Sequence, residues 1–182
     1  NGTIEIRGGT VSSINNSSNS GSSYGIYNYS SGNIEVIGGT VSSNGYGIIN
    51  SSGSIIIGSK EEKIVSQEEP CIKGEYTKGS SMDRGYGVSN ANEDGNLEFY
   101  NGLIQGSERA LKGTITKIRD GYEIENSVIE EKNSIYLVNK KEEYVAQIDG
   151  VKHTSLQEAI DSIGEYEEKT IEILKDFELN EP

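Results

Sequence analysis

Three glutamates occupy matching places in short alternating runs: Thr3-Ile4-Glu5-Ile6, Asn33-Ile34-Glu35-Val36 and Asn96-Leu97-Glu98-Phe99. If these runs stack as neighbouring strands, Glu5 and Glu35 lie about 4.8 Å apart on the outer face. A carboxylate pair at that spacing suits a retaining glycosidase or a Ca²⁺ site. The run between them and Glu98, Gly53-Ser54-Ile55-Ile56-Ile57, places Ile56 in the column and interrupts it. Glutamate on the wet side of a strand is commonplace, so a solvated face is the favoured reading and no residue is assigned as catalytic. His153, the only histidine, has no Gly-x-Ser-x-Gly frame to serve and reads as a surface residue ahead of a helix. Cys71 is alone, which excludes an intrachain disulfide and leaves a small apolar filler beside Ile72. The acidic pairs Glu61-Glu62, Glu68-Glu69, Glu130-Glu131 and Glu167-Glu168 read as solvated loops or edges. No cofactor or metal is expected.

The elements that would position these residues come from a repeated phrase. Tyr24-Gly25-Ile26-Tyr27-Asn28 returns as Tyr46-Gly47-Ile48-Ile49-Asn50 and as Tyr86-Gly87-Val88-Ser89-Asn90. After each come a polar turn, a glycine and an alternating strand, a period of a few tens of residues that marks a solenoid. Ile34 and Val36 point inward, Gly38-Gly39 bends the chain, and Val41 starts the next side. This frame puts Arg7 opposite Ile37. Asn101-Gly102 replaces Gly-Gly at a later bend, where asparagine tolerates the left-handed backbone best among residues other than glycine. Three short strands and three bends make one rung. A recurring Asn28, Asn50 and Asn90 reads as an internal amide ladder, with Tyr24, Tyr46 and Tyr86 stacked likewise. The same tyrosines on an outer face would offer a platform to sugar rings; the structural role is favoured.

Composition agrees with a narrow core. The chain has 182 residues, of which 32% are hydrophobic, with 23 Gly, 11 Tyr, two Phe and no Trp. A solenoid needs only a few inward apolar residues per rung. The net charge of −13 argues against nucleic acid, which requires a basic surface, and against anionic membranes. No apolar run is long enough to span a bilayer. The chain opens inside a repeat, as a segment of a longer protein would.

The expected organisation is residues 1–112 as β-helix rungs, 113–148 as a strand-rich cap and 149–182 as a strand–helix–strand unit. Ile64-Val65 marks a strand in a partial rung over 58–74. Ser134-Ile135-Tyr136-Leu137-Val138 and Tyr144-Val145-Ala146-Gln147-Ile148 are expected as strands, antiparallel ones, that cap and protect the open end. Thr154 or Ser155 caps a helix whose stripe is Leu156, Ala159, Ile160 and Ile163, ending at Gly164. Thr170-Ile171-Glu172-Ile173-Leu174 is a further strand, and Leu179-Asn180 hints at another.

Asn33-Ile34-Glu35-Val36-Ile37-Gly38-Gly39-Thr40-Val41, Tyr46-Gly47-Ile48 and Leu97-Glu98-Phe99-Tyr100-Asn101-Gly102-Leu103-Ile104 resemble repeat modules of surface-exposed or secreted proteins of Gram-positive bacteria. These are right-handed, single-stranded parallel β-helices of the pectin-lyase-like superfold. The stretch from Val145 through Ala159-Ile160 to Lys175-Asp176 resembles the opener that introduces such helices. The resemblance implies an all-β solenoid with a C-terminal cap and one short α-helix. It also implies an extracellular or wall-attached module, acting as a rigid stalk or an adhesin-like surface that displays loops to carbohydrate or to a host or cell-surface protein. The alternatives are a polysaccharide-active lyase or hydrolase, with Glu5, Glu35 and Glu98 to test, and a spacer with no ligand. Polysaccharide lyases of this superfold use clustered Asp with a Lys or Arg base, a pattern missing here. Where the phrase fails, over 14–23 and 58–84, local function is expected.

Overall fold

The computed structural model describes residues 2–14, 22–61, 66–76, 85–90, 96–140, 144–164 and 167–174. The expected strand at Ile64-Val65, the hint at Leu179-Asn180, and most of the 14–23 loop lie outside them. The chain divides into two compact units, Asn1–Asn139 and Lys140–Pro182. It is all-β apart from one short helix.

In the first unit, β1 (Thr3–Ser13) and β3 (Asn33–Ser43) are long strands bent at a glycine pair. The register slips between Ile6 and Arg7 and is restored by Thr10, so Arg7 lies opposite Gly38 and not Ile37. Gly9 and Gly39 take φ of 75° and 76°, the left-handed backbone that a side chain resists. Because of this bend, β3 feeds two ladders. Its first half pairs in parallel with β5 (Ser54–Ile57), which continues to β8 (Leu97–Phe99) and β11 (Lys117–Ile118). Its second half pairs in parallel with β6 (Cys71–Gly74) and then β9 (Leu103–Gly106). The phrase strands β2 (Tyr24–Asn28), β4 (Tyr46–Asn50) and β7 (Tyr86–Asn90) form a third parallel ladder ending in β10 (Arg109–Lys112).

The first ladder sends two apolar columns inward and the second sends one. Ile34, Ile55 and Leu97 stack in register, as do Val36, Ile57 and Phe99, and Val41, Ile72 and Ile104; all are fully buried. Burial of side chains this size stabilises by about 1.5–3 kcal/mol each, which explains how so apolar-poor a chain holds a core.

The far end is closed by antiparallel strands, in line with the capping strand expected over 134–138. β13 (Lys132–Asn139) runs antiparallel to β9, and β12 (Tyr122–Ile129) pairs back on β13, so the nine-stranded sheet is mixed. Ile135 and Leu137 from this hairpin join the core. Its turn holds Glu130 and Glu131 at φ of 51° and 63°, so that pair is a tight turn. Parallel pairing runs past the expected limit at 112, through Ile118. At the other bend, Gly102 alone takes the positive φ, and Asn101 instead accepts the Ser66 backbone N–H at 2.5 Å through Oδ1.

In the second unit, β14 (Ala146–Ile148) pairs antiparallel with β15 (Val151–His153) and β16 (Glu172–Ile173). The Ala146–Ile148 strand therefore belongs here and not to the 113–148 cap. Helix α1 (Leu156–Asp161) starts at Ser155, whose Oγ accepts from Glu158 N at 3.1 Å. The Glu158 carboxylate in turn accepts from the N–H and hydroxyl of Thr154. Ala159 packs with Ala146 and Ile148, while Ile160 is 45% exposed, so the apolar stripe is narrower than its spacing implied. Ser162 caps the helix two residues before Gly164.

Candidate functional site

Inside the phrase ladder the asparagines form one column. Asn28 Nδ2 donates to Asn50 Oδ1 at 2.7 Å, and Asn50 Nδ2 donates to Asn90 Oδ1 at 3.0 Å. Asn28 also donates to the carbonyls of Gly32 and Ser52, and Asn50 to that of Gly53. Buried amides satisfied this way fix the bends that follow β2 and β4. The phrase glycine also faces inward. A Cβ at Gly47 would stand 2.5 Å from the Gly87 carbonyl oxygen and 2.9 Å from Ile72 Cγ2. Gly25 and Gly87 are hemmed in alike by Val41 and Ile104. With Gly and Ile both turned in, strict alternation breaks, and the flanking tyrosine goes outward.

The tyrosines make a strip on that outer face. Tyr24 and Tyr46 stack at 5.7 Å between ring centroids, and Tyr46 meets Tyr86 edge-on at 5.5 Å. Tyr27 stacks on Tyr24 at 5.1 Å and touches Tyr29, extending the strip beyond the repeated positions. Tyr27 is 49% and Tyr29 78% exposed, so ring surface is open to a partner. Tyr86 is anchored through its hydroxyl to Glu108 at 3.1 Å.

Of the three glutamates, Glu5 and Glu35 are register neighbours and Glu98 stands apart from them. Glu5 stands opposite Glu35 in register, yet its carboxylate is taken by Arg7 at 2.6 Å. Glu35 faces Ile56 on its other side, and Ile56 faces Glu98. Glu98 is the most constrained of the three. It accepts from the Tyr100 hydroxyl, from Asn96 Nδ2 at 2.9 Å and from Lys60 Nζ at 3.1 Å. These donors, Tyr100 foremost, hold its carboxyl down to about 2. A general acid needs a pKa near the working pH, so Glu98 serves as a fixed anion.

Beside this cluster opens a cleft of about 400 Å³ walled by Lys60, Tyr100, Lys117, Arg119, Asp120 and Tyr122. The sequence reading missed it. Tyr100 lies two residues from Glu98, a spacing that puts side chains on one face of a strand, so that contact had a signal. Lys60 arrives from a distant turn and had none.

His153 and Cys71 are both buried. His153 is 6% exposed, not on the surface, because it sits opposite Ala146 on the packed side of the β14–β15 hairpin. Cys71 is buried at the start of β6, and burial pushes its thiol up. Among the described residues no grouping of His, Cys, Asp or Glu is placed to hold a metal ion, and no helix is long and apolar enough to cross a membrane. Comparison of the chain with protein-family models, curated proteins and solved structures gave no match.

Proposed function

We propose that the chain is a non-enzymatic module of a bacterial cell-surface protein, built as a right-handed, single-stranded parallel β-helix closed by an antiparallel hairpin. It acts as a rigid stalk, and its outer tyrosine face meets carbohydrate or a host or cell-surface protein. The observation that carries this reading is the use made of the repeated phrase. Asn28 and Asn50 spend their amides on the next asparagine of the column and on turn carbonyls, while the tyrosine of each phrase is left facing outward. The in-register parallel ladders, joined through bent β1 and β3, support a coil of stacked turns. Crossovers between parallel strands are right-handed almost without exception. In the polysaccharide-active alternative Glu5 is engaged by Arg7 and Glu98 by Lys60, which makes Glu35 the residue to test.

A glycan and cell-binding screen of the wild-type chain beside Tyr24→Ala and Tyr27→Ala tests the display role. Binding that falls in both variants supports it. Binding unchanged by either removes the strip from the account, and silence throughout leaves the spacer. Protease shaving of intact cells should release this segment if it is displayed.

A further inference from the structure

The cleft beside Glu98 carries a charge balance opposite to that of the molecule. Lys60, Lys117 and Arg119 converge there against Asp120 and Glu98, on a chain whose net charge is −13. The cations are positioned by different means. Arg119 Nη2 donates to the Ser59 carbonyl at 2.8 Å and reaches that of Lys60 at 3.4 Å, so it pins the turn that carries Lys60. Lys60 Nζ is held 5.1 Å from the Tyr100 ring centroid and 3.1 Å from Glu98. Lys117 sits opposite Glu98 on β11, yet makes no ion pair among the described residues. Its charge is thus available at the cleft wall. Ile118 and Tyr122 rest on the core and give the cleft an apolar side, and the exposed Asp120 can accept from hydroxyls. A volume of about 400 Å³ falls in the range of small-molecule pockets.

We infer that this cleft binds a monosaccharide-sized, hydroxylated ring compound bearing one oxyanion, a phosphate or a carboxylate, with the anion between Lys117 and Lys60 and the ring against Tyr122. The site stands apart from the tyrosine strip and does not depend on it.

Titration of the ¹⁵N-labelled chain with glucose 6-phosphate, glucuronate and glucose, followed by amide shifts, tests this. At least one anionic sugar should move the amides of residues 117–122 to saturation, and glucose should not; which anion binds identifies the group. Lys117→Gln should weaken binding about fivefold or more, whereas Lys112→Gln on neighbouring β10 should not. Raising the salt concentration should weaken it further. Lys117 is exposed, so an otherwise unchanged spectrum shows that the variant is folded. The inference is overturned if neither anion shifts these amides, if glucose shifts them equally, or if Lys117→Gln binds as the wild type does.

Discussion

Asn50 is fully buried, donates to Asn90 and a turn carbonyl, and accepts from Asn28. Truncation leaves buried polar groups unpaired and a void, so Asn50→Ala should lower stability by about 2–4 kcal/mol in chemical denaturation. Asn33→Ala, which removes only the exposed contact to Ser54, should cost less than about 0.5 kcal/mol. Glu98 offers a second test. Its carboxyl is held at about 2 when folded, against about 4.3 in an unfolded chain. A depressed carboxyl favours the folded state above the unfolded value, and this contribution is lost as pH falls through the folded one. The stability gap between wild type and Glu98→Gln should therefore be widest above about pH 5 and close toward pH 2. A gap indifferent to pH would mean that Glu98 is not held this way. The asparagine column was legible because one residue type recurs at one place. The grip on Glu98 was not, because Lys60 reaches it from another turn of the chain.

The strand elements depend on glycines that admit no side chain. Gly47→Ala should cost about 1–3 kcal/mol, because its Cβ would press on the Gly87 carbonyl and Ile72. A melting temperature equal to wild type would show that the ladders are looser than described. The hairpin makes the reverse prediction. Glu130 and Glu131 adopt left-handed backbone, which costs a residue with a Cβ about 1–2 kcal/mol. Asn-Gly is the favoured pair for such a turn, so Glu130→Asn with Glu131→Gly should raise stability by about 1 kcal/mol or more. At this scale the phrase and the Gly39 bend could be read directly, and the helix start was narrowed to Thr154 or Ser155, of which Ser155 is the cap. β12 could not, because its residues are mostly exposed and its place is set by β13. A three-residue strand such as Ala146–Ile148 carries no sign of which neighbour it will pair with.

For the whole molecule, the parallel ladders followed from the period and the capping strand from its alternating run at 134–138, while its pairing with β9 rests on contacts between distant segments. The functional account rests on the same division: repeated positions hold the stack, and outward groups meet partners. It requires that no outer carboxylate turn over a polysaccharide. The most direct measurement is product release from a panel of acidic and neutral polysaccharides by the wild-type chain, beside Glu35→Gln and Glu98→Gln. The account predicts no product above the blank for all three proteins. Release by the wild type that is abolished in Glu35→Gln would contradict it.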